Sequence, residues 1–206
     1  MYKKIEAYLQ KIESPDIPKS RMETLDTLSA YLKSKLERGI RPQLNFICTH
    51  NSRRSQLSQV IAKVMAECYL IPLNTYSGGM EVTEVHENVF RLLEEIGCQV
   101  KRIKADRSEI LISYGDDQMP IQLFSKKYQD VHNPSVNFAA VMTCSSAEET
   151  CPFIPNADQR ISLPYDDPKK FDGTEREAEA YRACADLIAS EMKYVFKSLK
   201  VKSSVD

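Results

Sequence analysis

Leu25, Leu28, Leu32 and Leu36 recur at steps of three and four, the spacing of one helical face, and Gly39 follows where a helix would stop. Residues 1–40 therefore read as helical, with the run SPDIPKS (14–20) separating a first short segment from the second. LNFIC (44–48) is a brief apolar run of strand type. From 55 to 70 the helical spacing returns at Leu57, Val60, Ile61, Val64 and Met65. LNTYSGG (73–79) reads as a strand entering a glycine turn, and VHENVFRLLEEIG (85–97) as an amphipathic helix stopped by Gly97. SEILISYGDDQMPIQLFSKKY (108–128) has the pattern of a hairpin turning at Gly115-Asp116-Asp117. VNFAAVMTC (136–144) is a strongly apolar strand, and ISLPYDDP (161–168) a short strand followed by a turn. The last helix lines up Tyr181, Ala185, Ile188, Met192, Val195 and Leu199, and the tail KVKSSVD reads as loose.

Alternation of strands with helices predicts an α/β fold, a central mostly parallel sheet flanked by helices. The chain of 206 residues fits one domain with an added segment: an N-terminal helical extension over 1–40 and an α/β domain over 41–206, the latter carrying a β-hairpin insertion around 108–130. In such sheets ligands bind beyond the carboxyl ends of the strands. Both Cys48 and Cys144 stand at such ends, so the two thiols are expected on one rim despite their distance in sequence.

Composition narrows the function. The formal net charge is -1 with no long basic block, which gives no electrostatic support for a nucleic-acid or membrane-surface role. The first residues lack the apolar core of a signal peptide, and no run approaches the ~18 apolar residues of a membrane span, so a cytoplasmic protein is expected. Six cysteines in that setting point to working thiols rather than a disulfide scaffold. No metal is assigned, because there is no short C-x-x-C pair and His50, His86 and His132 are scattered. His86 and His132 read as surface or helix-end residues, and Cys68, Cys98 and Cys184 as core or helix-face residues.

The chemistry concentrates in FICTHNSRRSQ (46–56). Cys48 to Arg54 is a C-x5-R loop between a strand and a helix. Such a loop aims main-chain N–H groups inward, and the helix N-terminus favours negative charge. Arg54 offers a planar fork for two oxyanion oxygens. The same field favours Cys48 as a nucleophilic thiolate, and Ser55 is placed to donate a hydrogen bond to its sulfur. Asn51 tolerates the left-handed backbone that a tight anion cradle needs. The candidate cradle is Thr49, His50, Asn51, Ser52, Arg53, Arg54 and Ser55, with the Arg53 side chain expected to point to solvent, since one arginine suffices to clamp the anion.

CTHNSRRSQ resembles the phosphate-binding loop of the low-molecular-weight protein tyrosine phosphatases and of their relatives, the thioredoxin-coupled arsenate reductases. The shared pattern is Cys, two residues, Asn, two residues, Arg, Ser. YSGG (76–79) resembles the strand end after the family's first helix, and the resemblance covers about 43–200. His50 stands where the family usually has glycine, and Arg53 where many members have cysteine. The resemblance implies a general acid at Asp167, an aspartate directly before a proline, to protonate the departing oxygen. Lys169, Lys170 and Phe171 follow in place of the aromatic residues that sandwich an aryl phosphate. Asn51 and Ser77 match positions of a monovalent-cation site seen in some members, but Gln59 replaces an acid there, and no cofactor is assigned.

TCSSAEETCP (143–152) separates the branches. Cys144 and Cys151 would lie roughly 10 Å apart on a helix at 1.5 Å per residue, whereas a disulfide needs Cα atoms within about 7 Å, so the segment must bend for them to join. The spacing resembles that of the arsenate reductases, where a cysteine after an apolar strand and a second seven residues on complete a three-thiol relay. The resemblance thus implies a small oxyanion substrate, arsenate or a phosphate ester, with thioredoxin as reductant and Cys48, Arg54, Asp167, Cys144 and Cys151 as catalytic residues. The alternatives are a phosphatase working through a phosphocysteine, and a non-catalytic anion- or redox-sensing regulator; the latter has no need of an intact nucleophile.

Overall fold

The computed structural model describes residues 1–13, 17–103, 109–150 and 153–200, with the backbone alone at 148–150. In chain order the elements are α1 (Lys3–Lys11), α2 (Lys19–Glu37), β1 (Gln43–Cys48), α3 (Arg54–Cys68), β2 (Asn74–Gly79), α4 (Glu87–Glu95), β3 (Gln99–Arg102), β4 (Ile110–Ser113), β5 (Ile121–Leu123), β6 (Phe138–Met142), α5 (Ser145–Thr150), β7 (Ala157–Ser162), a 3-10 turn (Pro168–Phe171) and α6 (Glu177–Lys200). Residues 14–16 and 201–206, and with them part of the expected break and the tail, lie outside the described residues, as does Cys151.

The central sheet runs β2-β1-β6-β7 with every neighbouring pair parallel. Parallel strands joined by helices have both faces covered, which is why FAAVM is buried at every position. Alternation along β6 splits its side chains between two clusters. Ala139 and Val141 join the main core, while Phe138, Ala140 and Met142 face a smaller apolar cluster on the other side with Ile47, Cys48 and Cys144. A second, antiparallel sheet runs β3-β4-β5. Its β4–β5 hairpin pairs Ile110 with Leu123, as the alternation predicts. Its third strand, β3, was not expected, nor was the start of β7 at Ala157, four residues before Ile161.

The N-terminal helices share the main core. Ile5, Leu25, Leu28 and Leu32 are fully buried in it. Arg21 of α2 donates from Nε and Nη2 to the two carboxylate oxygens of Glu191 in α6, at 2.6 and 3.0 Å. Glu191 is 2% exposed, and a carboxylate that deep needs such a paired fork. Tyr8 of α1 adds a bond from its hydroxyl to Asp186 Oδ1, 2.8 Å, also on α6.

Candidate active site

The loop after β1 is held from outside by its carbonyls. Cys48 O accepts from Met80 N (3.2 Å) and Thr49 O from Glu81 N (2.8 Å). His50 O accepts from the hydroxyls of Thr83 (3.1 Å) and Ser125 (3.0 Å), and Asn51 O from Gln56 Nε2 (2.9 Å). Ser52 O accepts from His86 N (3.1 Å), and Arg53 O takes the first bond of α3 from Leu57 N (2.9 Å). Across a planar trans peptide the C=O and the next N–H point in opposite directions. Six carbonyls tied to their surroundings therefore turn the amides of residues 49–54 to the concave side, where they join the N-terminal end of α3 as an anion cradle.

Asn51 carries the left-handed turn at φ 48°. His50 is not among the residues of positive φ, so histidine fits where the family's usual glycine is not required. Its ring lies outside the cradle, 3.4 Å from Glu81. Lys126 N donates to Asn51 Oδ1 (3.0 Å), which fixes the amide's orientation, and Asn51 Nδ2 donates to Ser55 Oγ (2.8 Å). Ser55 Oγ is thereby an acceptor from Asn51, and its own proton is directed to Cys48 Sγ at 3.1 Å. The Lys126 side chain is buried with its ammonium 4.3 Å from the Phe124 ring, and burial pulls its pKa down to about 8.

Gly78 and Gly79 end β2 against this loop. A Cβ on Gly78 would lie 2.3 Å from Tyr128 Cα, and one on Gly79 would lie 2.7 Å from Asn51 N and 2.9 Å from Thr49 O. YSGG is thus a requirement of close backbone approach. Gly79→Ala is expected to push the cradle out of shape and lower turnover by about 100-fold, the cost of roughly 1 Å of misplacement; steady-state kinetics with inorganic phosphate as competitor would show both kcat and anion affinity falling.

The second thiol stands beside the first. The register of β1 and β6 pairs Ile47 with Met142, so Cys48 and Thr143 come opposite one another and Cys144 follows. Thr143 donates both its N–H (2.7 Å) and its hydroxyl (2.9 Å) to Ile47 O. Cys144 Sγ lies 3.4 Å from Thr49 Oγ1 and accepts from Ala147 N at 3.4 Å. Cys48 and Cys144 are both buried, at 4% and 1% exposed. Burial pushes the Cys98 and Cys184 thiols up to about 12, which keeps them in the unreactive protonated form.

Asp167 reaches the loop through Arg54. Arg54 Nη2 donates to Asp167 Oδ2 (2.7 Å) and Nη1 to Tyr165 O (3.1 Å), while Asp167 Oδ1 caps the 3-10 turn by accepting from Lys169 N (3.1 Å). Asp166 is fully exposed, with Lys170 3.6 Å away. Arg53 corrects the expectation of a solvent-facing cation. Its side chain is 13% exposed and donates from Nε to Tyr181 OH (2.6 Å) and from Nη2 to Asp172 Oδ2 (2.6 Å). The partners lie in the turn after Asp167 and in α6, more than a hundred residues on, and no local signal near Arg53 announces them. His86 is the N-cap of α4, as a helix-end residue should be, but its ring also stacks on Tyr181 and bonds its hydroxyl at 3.0 Å. Sequence reasoning missed Thr83, Ser125, Tyr181 and Asp172 for the same reason. Among the described residues no group of His, Cys, Asp and Glu is arranged to hold a metal ion, and no helix is long and apolar enough to cross a membrane.

No protein-family model matches the chain. It is 29% identical over 150 residues to an arsenate reductase of Halalkalibacterium halodurans, an alignment spanning 72% of this chain and 90% of that protein. An arsenate reductase of Bacillus subtilis is likewise 29% identical over 151 residues, 72% of this chain and 90% of the relative. These relatives support a likeness to the arsenate reductase branch of the low-molecular-weight protein tyrosine phosphatase superfamily. The fold agrees: a solved low-molecular-weight protein tyrosine phosphatase from T. tengcongensis superposes with a TM-score of 0.51 at 16% identity, over 76% of this chain and 99% of that one. Relatives of the reductase kind and structural neighbours of the phosphatase kind together support enzyme status.

Proposed function

We propose that the chain is a thiol-dependent arsenate reductase, and the observation that carries this reading is the placement of Cys144 at the rim of the cradle, bonded to Thr49 of the loop itself. Arsenate enters the amide cradle beside Arg54. The Cys48 thiolate attacks arsenic, and Asp167 protonates the hydroxyl that leaves as water, forming an S–As bond. The Cys144 thiolate then attacks the Cys48 sulfur. The S–As electron pair passes to arsenic, which departs as arsenite, reduced by two electrons, and the two sulfurs are oxidised to a Cys48–Cys144 disulfide. Cys151 attacks Cys144 and releases Cys48 as a thiolate, leaving a Cys144–Cys151 disulfide for thioredoxin to reduce by exchange. Thr49, His50, Asn51, Ser52, Arg53, Arg54 and Ser55 supply the cradle's backbone. In this reading the protein works in the cytoplasm, and residues 1–40 are an extension that braces α6.

One observation favours the phosphatase reading as second. A groove of about 670 Å³ runs beside the acid loop, walled by Pro168, Phe171 and Leu187, with Arg176 lying 4.7 Å over the Phe171 ring. Asp167 itself lines this groove, which is the space that an organic group beside the acid would take in this reading. Turnover of arsenate with thioredoxin and of an aryl phosphate without it, measured side by side, decides between them. Arsenite formation is expected, with aryl phosphate hydrolysis at most a side activity; brisk hydrolysis with no arsenite reverses the order.

A further inference from the structure

Two adjacent arginines hold two aspartates of one segment. Arg54 bonds Asp167, the N-cap of the 3-10 turn, and Arg53 bonds Asp172, its C-cap. The turn that carries the acid is therefore clamped at both ends by consecutive residues of the thiol loop. Around the second clamp the polar groups close on one another. Tyr181 OH accepts from Arg53 Nε (2.6 Å) and lies 2.9 Å from Asp172 Oδ1 and 3.0 Å from His86 Nδ1. His86 Nδ1 accepts from Asn88 N (3.4 Å), so the ring proton sits on Nε2, which faces Asp172 Oδ2 at 3.5 Å. Burial, and then the Arg53 charge, lower the His86 pKa and keep that ring neutral. The main chain of His86 in turn donates to Ser52 O of the loop (3.1 Å). The Arg53 and Asp172 side chains are 13% and 24% exposed, so this ion pair is partly desolvated and is not a bare surface contact.

We infer that Arg53 is a positioning residue: through Asp172 it fixes the turn that bears Asp167, so that the acid stands over the oxyanion while Arg54 holds the anion. This assignment rests on the proposed catalytic role of Asp167. It does not require Arg53 to touch substrate, and it separates the two neighbouring cations by task. Arg54 faces the anion and the acid together; Arg53 locks the acid's support to the loop and to α6.

The test combines kinetics with amide exchange on the full-length protein. Arg53→Ala and Asp172→Asn are each expected to lower kcat by about 10- to 100-fold, while the affinity for inorganic phosphate as competitor stays within about twofold, because the cradle amides and Arg54 remain. In an Asp167→Asn background, Arg53→Ala is expected to cost less than about twofold more, since its effect passes through the acid already removed. Independently of any activity, hydrogen–deuterium exchange across 168–172 is expected to rise at least several-fold in Arg53→Ala and in Asp172→Asn, with the amides of 49–54 unchanged. Unchanged exchange at 168–172 in folded variants overturns the assignment, as does a full additional loss in the Asp167→Asn background or a collapse of phosphate affinity. If the wild type turns over neither arsenate nor aryl phosphate, the catalytic reading fails and the exchange experiment alone judges the clamp. Should Arg53→Ala not fold, Asp172→Asn, which keeps the side chain's shape, gives the same two readouts.

Discussion

Cys144→Ser is expected to abolish the reduction of arsenate and to spare hydrolysis of an aryl phosphate. Reduction must draw two electrons from a pair of thiols, whereas a phosphocysteine cycle returns Cys48 unchanged and needs only Cys48, Arg54 and Asp167. After a single turnover of the wild type with arsenate and no reductant, peptide mapping should find Cys144 joined to Cys151 and Cys48 free. Cys151→Ser should instead trap the Cys48–Cys144 disulfide, because the relay lacks its last thiol. The positions favour the first exchange, since β1 and β6 are neighbours in register and Cys144 Sγ already touches the loop at Thr49. Arsenate turnover that survives both serine variants would remove the relay and leave the phosphatase reading in its place.

Asp167→Asn is expected to slow turnover by about 10²- to 10⁴-fold, the usual contribution of a positioned general acid. Phosphate should bind nearly as well to this variant, because asparagine still offers an oxygen to Arg54 and the amide cradle is untouched. Asp166→Asn should have little effect: its carboxylate is fully exposed, with Lys170 3.6 Å away. Equal losses in the two variants, read from kcat at saturating substrate, would place the acid elsewhere.

What could be read from the sequence was what short-range physics dictates. Apolar spacing marked α2, α3, α4 and α6, and the unbroken run FAAVM marked a strand covered on both faces. Asn51, the non-glycine residue suited to a left-handed turn, indeed has φ 48°. The strand β3 escaped notice because Gln99, Lys101 and Arg102 are exposed and give no alternating pattern; its pairing with β4 is a matter of tertiary context. The first residues of β7 are half-exposed for a similar reason, since this strand forms the edge of the sheet. Arg53 was misjudged because its partners, Asp172 and Tyr181, are 119 and 128 residues away, a distance at which spacing carries no information. Cys144 could be placed at a strand end from sequence alone, but that its sulfur would meet the Thr49 hydroxyl depended on which strands became neighbours.

The pair of hydrogen bonds that Thr143 donates to the Ile47 carbonyl has a kinetic consequence. It fastens the two strand ends that carry Cys48 and Cys144, so any encounter between those sulfurs is intramolecular. Well-oriented partners of this sort behave as if present at about 10⁵–10⁸ M, a value that millimolar thiols in solution cannot rival. Under the proposed chemistry, an electrophilic species formed on Cys48 is expected to be captured by Cys144 before an outside thiol arrives. In a reductase this makes the product-forming step indifferent to the surrounding thiol pool. In a phosphatase the same capture would intercept a sulfenic acid on Cys48 before it climbed to irreversible oxidation states, so a single structural fastening would serve a Cys48 nucleophile under either chemistry.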